Sequence, residues 1–127
     1  MELTKEESFR ETGPIGFPQI HALIKDLVDN RIDFGGSVAG YQVLDAAAGN
    51  GFLSDWLHDR GFEVSAVDLD PKKWASKRVH CKKVNLNEDI PYGTEIFDLI
   101  VSVETIEHLE NPFHFLREAC RVLKPGG

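Results

Sequence analysis

The sequence predicts one α/β domain built on an open parallel sheet with helices on both faces. The chain of 127 residues is within the size range of a single domain. Short apolar runs typical of buried strands alternate with segments whose apolar residues recur at helical spacing. Strands that alternate with helices pair in parallel, because a tight turn cannot join two parallel strands.

Charge and cysteine content narrow the class of partner. The chain has 14 Lys and Arg residues against 21 Asp and Glu, and its net charge of −7 argues against nucleic acid as a partner. Cys81 and Cys120 lack metal-ligand spacing, and neither a signal peptide nor an apolar run of membrane-spanning length is present. We expect a cytoplasmic protein with reduced thiols and a small-molecule partner, without nucleic acid or membrane.

The N-terminal region divides into a polar segment and a helix. Residues 1–17 are predicted as the polar segment, in which Thr4 and Glu7 have the spacing of a capping box. The domain is predicted over residues 18–127, and Pro18 suits the first turn of a helix that covers one sheet face. The apolar residues of this helix are Ile20, Leu23, Ile24, Leu27 and Val28.

Four strands and three further helices follow in alternation. The predicted strands are residues 41–45, 62–68, 79–84 and 97–103. A helix from Phe52 ends at Gly61, where a left-handed residue is favoured, and residues 71–78 are predicted as a short helix. The last helix is capped by Asn111 and opened by Pro112. Its predicted buried stripe is Phe115, Leu116, Ala119, Val122 and Leu123.

The turn at residues 46–51 is the predicted ligand site, because open α/β sheets bind ligands beyond the carboxyl ends of their strands. Gly49 and Gly51 lack a Cβ, so the backbone can turn tightly and approach a ligand. The following helix presents free N–H groups to an anionic group. Asp68 ends the second strand, where an acid can accept both hydroxyl protons of an adenosine ribose. The pattern indicates a nucleoside-containing cofactor.

Charge at the turn decides between two such cofactors. Asp45 ends the first strand, where a carboxylate repels a pyrophosphate but attracts the cationic amino and sulfonium groups of S-adenosylmethionine. Ser54 occupies the place of the third glycine of the dinucleotide fingerprint. We therefore predict S-adenosylmethionine as the cofactor. The alternatives left open are a non-catalytic nucleoside-binding module and an NAD-dependent oxidoreductase domain.

Four ordered motifs resemble those of the class I, Rossmann-like S-adenosylmethionine-dependent methyltransferases. They are VLDAAAGNG (43–51), AVDLDP (66–71), FDLIVS (97–102) and RVLKPGG (121–127). In motif style the chain is most similar to the ubiquinone-biosynthesis-type, small-molecule group. The resemblance implies the strand order 3-2-1-4, with the family's strands 5–7 missing at the C-terminus. We expect weak cofactor binding, poor or absent turnover, and possible self-association through an exposed fourth strand.

The resemblance also implies a set of cofactor-binding residues. They are Asp45, Ala47, Gly49, Asn50, Gly51, Asp68, Leu69, Asn85, Leu86 and Val103. The turn residues surround the methionine part, Asp68 holds the ribose hydroxyls, and Leu69 covers one face of the adenine. Asn85 and Leu86 meet the adenine edge, where an Asn amide oxygen can accept from the adenine amino group. Ala47 stands where the family usually has glycine, and its methyl group narrows the space for the ligand.

The segment after the fourth strand resembles a metal-binding segment of two methyltransferase groups. Glu104, Glu107 and His108 have the spacing found in ubiquinone-biosynthesis O-methyltransferases and small-RNA 2′-O-methyltransferases. We expect no metal here, because a Glu-His pair alone completes no coordination shell. His108 is the candidate general base, since it follows the fourth strand near the expected methyl group.

A single basic cluster follows the second strand. Its members are Lys72, Lys73, Lys77, Arg78, Lys82 and Lys83, with Trp74 among them. Such a cluster can bind nucleic acid through phosphate pairing and stacking. We interpret it as a solvated surface, because the chain as a whole is acidic.

Overall fold

The computed structural model describes residues 18–127, so the segment 1–17, with Thr4 and Glu7, lies outside the described residues. The strands are β1 (Gln42–Ala46), β2 (Glu63–Asp68), β3 (Cys81–Lys83) and β4 (Leu99–Val101). The α-helices are α1 (Pro18–Asp26), α2 (Phe52–Asp59) and α3 (Pro112–Val122). A π-helical stretch (Leu27–Arg31) extends α1, and 3-10 turns follow β2 (Pro71–Lys73) and β4 (Ile106–His108).

The four strands form one parallel sheet in the order β3-β2-β1-β4, which confirms the predicted topology. β1 is central: Asp45 pairs with Ala66 of β2 on one side and with Val101 of β4 on the other. Because all the strands run in the same direction, the carboxyl ends of β1, β2 and β4 meet at one edge of the sheet. This edge is the place where a ligand site is expected.

Helices cover both faces of the sheet, as predicted. On one face, Leu44 packs with Phe115 of α3. On the other face, Val43 packs with Leu57 of α2 and with Val28, which follows α1. Burial of each such side chain stabilises the fold by about 1.5–3 kcal/mol. Among residues 18–127, no helix has both the length and the apolar character needed to cross a bilayer.

The buried face of the first helix is narrower than its sequence predicts. Ile24 packs against the core, whereas Leu23 is 57% exposed and Leu27 is 38% exposed. The backbone changes from α to π geometry at Leu27. A π turn contains more residues than an α turn, so it shifts the register of the following side chains and Val28 takes the buried position.

The predicted helix over residues 71–78 is wrong beyond its first turn. Helical structure ends at Lys73, and Trp74 has an extended conformation with φ −62° and ψ 126°. The Ser76 hydroxyl accepts hydrogen bonds from the backbone N–H groups of Arg78 (3.2 Å) and Val79 (3.1 Å). These side-chain bonds satisfy donors that a helix would have paired with carbonyl groups, so the segment forms an irregular loop.

The last helix begins as predicted but buries a different set of residues. The Asn111 side chain accepts from the N–H of His114 (3.3 Å) and caps the helix. Leu116, predicted as buried, is 45% exposed, whereas Glu118 is only 7% exposed. Glu118 tolerates burial because its Oε1 accepts from the N–H of Ile90 (2.8 Å) and both of its oxygens accept from Arg121. The Arg121 hydrogen bonds hold the pKa of Glu118 below its ordinary value.

We expect Glu118→Ala to lower the melting temperature by roughly 5–10 °C, because it removes the anchor that joins the loop at Ile90 to α3. Arg121 would keep its bonds to the carbonyl oxygens of Ile90 and Tyr92, both 2.9 Å, but would lose its counter-charge. Thermal unfolding followed by circular dichroism measures the change. Glu110→Ala, at an exposed position just before the helix, is the matched control and should leave the melting temperature unchanged. Equal melting temperatures for the two variants would contradict the anchoring role.

The outer edge of β4 is less open than its sequence predicts. The chain after α3 returns to this edge, where Phe97 and Leu123 form a parallel bridge. The N–H of Phe97 donates to Val122 (2.9 Å), and the N–H of Lys124 donates to the Phe97 carbonyl (2.8 Å). β4 itself is the last strand of the described sheet on this side. Self-association of the 127-residue chain through β4 stays a prediction, and sedimentation velocity over a range of concentrations would test it.

Candidate functional site

A sharp backbone turn leads from β1 into α2 at the carboxyl edge of the sheet. Ala47, Gly49 and Gly51 all have positive φ angles, of 66°, 60° and 88°. The N–H groups of Ala47 and Ala48 both donate to the Val67 carbonyl (2.9 and 3.0 Å), which fixes the turn against the end of β2. A Cβ added at Gly49 would meet no described atom within 4 Å, so this part of the turn faces open space.

Asp68 at the end of β2 is joined to this turn. Its Oδ2 accepts from the N–H of Gly49 (2.9 Å), and its Oδ1 accepts from the N–H of Asp70 (2.9 Å). The structure therefore brings together the two features that the sequence predicts for one pocket. Each carboxylate oxygen has a second lone pair, so Asp68 can still accept from a pair of hydroxyl groups. Leu69 follows Asp68 in the chain and is 61% exposed.

Asp45 lies in β1 and is buried on the side of the sheet that α2 covers, with only 2% of its surface exposed. Its Oδ2 accepts a hydrogen bond from the Ser54 hydroxyl at 2.7 Å. Burial raises the pKa of Asp45 to about 6; the Ser54 hydrogen bond opposes this shift and the charge of Asp68 adds to it. Asp45 can therefore act on a ligand in the turn through its charge and through intervening groups, while direct contact is closed to it in this structure.

Ser54 is a site residue whose role the sequence analysis missed. The sequence shows Ser54 only as the residue in place of the third glycine of the dinucleotide fingerprint, yet its side chain is completely buried against Asp45. The available signal was its spacing: Ser54 and the buried Leu57 are three residues apart and share one face of α2. A hydroxyl within an apolar helix face needs a buried partner, and the acid at the end of β1 provides it.

Asn50 joins the turn by hydrogen bonds to the start of α2 and to the loop after β2. Its Oδ1 accepts from the N–H of Phe52 (3.1 Å) at the start of α2. Its carbonyl oxygen accepts from the N–H of Ala75 (3.0 Å) in the loop after β2. The structure thus gives Asn50 a part in shaping the turn, and any contact with the cofactor stays a prediction.

Leu86 keeps its predicted place at the adenine edge as a prediction, and its side chain is buried. Its side chain is 5% exposed and packs in the core cluster that contains Val84 and Ile90. Because the side chain is buried in this cluster, we expect the backbone of Leu86 to make the predicted contact with the adenine edge. Asn85 is half-buried, and its Oδ1 accepts from the N–H of Asn87 (3.0 Å). Val103, after β4, is half-buried and packs against the core on the α2 face.

The segment after β4 brings His108 to the surface at the same edge of the sheet. His108 has 77% of its side chain exposed, and its Nε2 lies 3.7 Å from an Oε1 of Glu107. Glu104 has a positive φ of 52°, a strained conformation for a residue with a Cβ. Glu104, Glu107 and His108 are not among the described residues whose ligand atoms gather at metal-binding distances. His108 stays the candidate base.

Within residues 18–127, the atoms of Asp89, His114 and Glu118 do lie close enough together to hold a metal ion. His114 Nε2 is 2.8 Å from Asp89 Oδ1. Glu118 is already bound by the guanidinium of Arg121, whose positive charge would repel a cation placed there. We therefore interpret the group as a structural anchor between α3 and the loop after β3.

Two members of the basic cluster after β2 make contacts within the domain. Arg78 pairs with Asp59 and lies 3.4 Å from Asp55, and Lys82 lies over the ring of Tyr92. Trp74 packs against the turn and donates its ring N–H to the Val79 carbonyl (3.1 Å). Trp74 is half-buried, and the interpretation of the cluster as a solvated surface stays a prediction.

Ala47→Gly is expected to stabilise the protein by about 0.5–1 kcal/mol. The left-handed conformation costs a residue with a Cβ about 1–2 kcal/mol, and the extra freedom of glycine in the unfolded chain offsets about 0.4–1 kcal/mol of the gain. Urea unfolding measures the difference. Ala48→Gly is the matched control. Ala48 is not among the residues with positive φ, so this substitution relieves no strain and should only destabilise the protein through the greater freedom of glycine in the unfolded chain. A destabilised Ala47→Gly protein would contradict the assignment of strain to this position.

Comparisons with known proteins agree on one family. A family model described as "Methyltransferase domain" matches residues 44–127. The chain is 31% identical over 117 residues to a ubiquinone biosynthesis O-methyltransferase of Dechloromonas aromatica, a match that covers 85% of this chain and 49% of the relative. It is 35% identical over 98 residues to a demethylmenaquinone methyltransferase of Tropheryma whipplei, with 72% of this chain and 41% of the relative covered. The chain thus spans about half the length of these curated relatives.

Solved structures show the same fold at lower sequence identity. A SAM-dependent methyltransferase from Aquifex aeolicus superimposes with a TM-score of 0.63 at 22% identity, covering 98% of this chain and 69% of that one. The [4+2]-cyclase SpnF superimposes with a TM-score of 0.69, also at 22% identity, covering 86% of this chain and 42% of that one. At this level of identity the likeness shows the fold alone.

Proposed function

Because this chain belongs to the class I S-adenosylmethionine-dependent methyltransferases, we propose that its protein transfers a methyl group from S-adenosylmethionine to a small-molecule acceptor. When bound, the sulfonium compound supplies an activated methyl group, which an acceptor O, N, C or S atom attacks in line with the C–S bond. S-adenosylhomocysteine is then the leaving group. The residues of this chain bind, orient and polarise the reactants.

The observation that carries the proposal is the bond between the Gly49 N–H and Asp68 Oδ2 (2.9 Å). It unites an open glycine turn with an acid that keeps unused lone pairs. The exposed Leu69 adds an apolar face next to them. A turn, a ribose acceptor and an adenine platform in this order fit an adenosyl compound, and the space at Gly49 leaves room for its amino-acid part.

Electrostatics favour a cationic ligand at this turn. Asp45 and Asp68 are close enough for the charge of Asp68 to raise the pKa of Asp45. A sulfonium and an ammonium group near the turn would relieve this repulsion, whereas the pyrophosphate of a dinucleotide would increase it. This difference supports S-adenosylmethionine over NAD.

Catalysis in this proposal depends mainly on positioning. A turn that is hydrogen-bonded to β2 and anchored to α2 holds a bound methyl donor in one orientation, and an aligned acceptor then gains a large effective molarity. His108 is the proposed base for an acceptor that must lose a proton, since it lies beyond β4 with a solvent-exposed ring. Unchanged turnover in a His108→Ala protein would exclude it.

The acceptor class is proposed from the relatives. The two curated relatives described above have names that refer to ubiquinone biosynthesis and to demethylmenaquinone. We propose a small organic acceptor, and quinone-ring precursors are the first compounds to assay. A cytoplasmic location and the absence of a nucleic-acid partner stay predictions beside it.

Titration calorimetry together with a transfer assay tests the proposed function. The protein at its natural length is titrated with S-adenosylmethionine, S-adenosylhomocysteine and NAD, and methyl transfer is then followed with labelled donor. Binding of both adenosyl compounds with transfer to an acceptor supports the proposal. Binding without transfer to any acceptor favours a nucleoside-binding module or another reaction, as the cyclase with this fold illustrates. Preference for NAD favours an oxidoreductase.

A further inference from the structure

The loop after β2 presses an aromatic ring against the glycine turn. A Cβ added at Gly51 would lie 2.9 Å from two ring atoms of Trp74 and 3.1 Å from a third. Such distances leave no room for a side chain, so the ring rests directly on the Gly51 backbone. The Trp74 ring N–H donates to the Val79 carbonyl (3.1 Å), which fixes the orientation of the ring.

Further contacts hold this loop in place around Trp74. The Ser76 hydroxyl donates to Asp55 Oδ1 of α2 (2.5 Å), and Arg78 pairs with Asp59 of the same helix. The neighbouring N–H of Ala75 donates to the Asn50 carbonyl within the turn. The loop is therefore attached both to the turn and to the helix that the turn opens.

The turn is consequently fixed from two sides. Asp68 holds it at Gly49, and Trp74 supports it at Gly51. We propose that Trp74 is a positioning residue, which sets the conformation of the Gly49–Gly51 turn that receives the methionine part of S-adenosylmethionine. This inference rests on the proposed function. The size of the side chain at position 74 then determines affinity for the amino-acid part of the ligand, without any contact between residue 74 and the ligand.

A purely structural tryptophan would behave differently. Its loss would lower stability but would not discriminate between two ligands that share the adenosine group. S-adenosylhomocysteine carries the amino-acid part, and 5′-methylthioadenosine lacks it. The ratio of their dissociation constants therefore reports the state of the turn separately from the state of the adenosine site.

The first test measures this ratio by calorimetry in the natural-length protein. Trp74→Leu is expected to raise the dissociation constant of S-adenosylhomocysteine about tenfold and that of 5′-methylthioadenosine less than about twofold. Trp74→Phe, which keeps a ring near Gly51, should lie between wild type and Trp74→Leu. Trp56→Leu replaces the other tryptophan of the chain, which lies in α2, and should leave the ratio unchanged. An unchanged ratio in Trp74→Leu would overturn the inference, whereas a wild-type protein that binds neither ligand would overturn the proposed function.

A mutant cycle provides a second test that does not depend on one variant folding well. The four proteins of the cycle are the wild type, Gly51→Ala, Trp74→Leu and the double variant. The affinity for S-adenosylhomocysteine is measured for each of them. If the ring limits the space at Gly51, the alanine should weaken binding about tenfold less in the Trp74→Leu background, although the cost of its φ of 88° remains. Equal effects of Gly51→Ala in both backgrounds would show that the two residues are not coupled and would refute the proposal.

Discussion

Asp68→Ala is expected to weaken S-adenosylmethionine binding by about 100-fold. The carboxylate has two roles at the site: it accepts from the Gly49 N–H, and in the proposed complex it accepts from the ribose hydroxyls. Hydrogen bonds to a charged group contribute about 1.5–3 kcal/mol each, so a loss of about 100-fold corresponds to two such bonds at the lower end of this range. Isothermal titration calorimetry with the natural-length protein measures it directly.

Two further variants separate the roles of Asp68. Asp68→Asn keeps one acceptor oxygen and should lose affinity by an intermediate factor. Asp70→Ala removes a nearby exposed carboxylate, which caps the 3-10 turn by accepting from the N–H of Lys72 (3.3 Å). That variant should bind the cofactor like the wild type, within about twofold. Wild-type affinity in Asp68→Ala would refute the ribose-binding role, whereas equal losses in Asp68→Ala and Asp70→Ala would point to a general effect of charge.

The order of the sheet was predictable because its causes are local and repeated. Apolar runs such as residues 41–45 and 97–103 predict the strands. Pro18 and Gly61 mark helix ends through their backbone preferences, and Asn111 does so by capping a helix with its side chain. Parallel pairing and right-handed connections then leave few arrangements. The glycine turn and Asp68 followed from the same logic, since they end neighbouring strands.

The differences arise where a polar side chain finds specific hydrogen-bond partners, both nearby and distant in the chain. Ser76 bonds to backbone groups and to Asp55, and this converts a predicted helix into a loop. Glu118 takes a buried position on α3 because Ile90 and Arg121 satisfy its carboxylate. The periodic pattern of apolar residues does not encode these bonds, and the bonds to Asp55 and Ile90 depend on contacts that exist only after the chain has folded.

The same principle applies within the site. The support of Gly51 by Trp74 joins residues separated by more than twenty positions, and the sequence shows Trp74 only as an aromatic residue in a basic stretch. The burial of Asp45 likewise depends on how α2 packs over β1. Sequence patterns therefore predict which residue types form the candidate site, and tertiary packing determines which of their side chains are accessible to a ligand.

Asp45 is expected to make both folding and cofactor binding depend on pH. Its pKa is about 6 in the folded protein against 3.8 as the ordinary value, so the folded state binds more protons than the unfolded state between these values. Without ligand, stability should therefore fall as pH rises from about 4 to above 6, by about 3 kcal/mol in total. A cationic ligand favours the ionised acid, so S-adenosylmethionine affinity should weaken as pH falls through about 6. Binding near that pH should release protons.

Asp45→Asn isolates this contribution from those of the other ionisable groups in the protein. Urea unfolding and calorimetry are carried out at several pH values for both proteins, with calorimetry in buffers of different ionisation enthalpy to count released protons. The wild type, compared with Asp45→Asn, should lose stability as pH rises from about 4 to above 6 and should release protons when it binds S-adenosylmethionine. The Asn side chain can still accept from the Ser54 hydroxyl, so α2 keeps its contact with β1. Parallel pH profiles for the two proteins would show that Asp45 does not titrate with the proposed linkage, and its electrostatic role at the turn would be refuted.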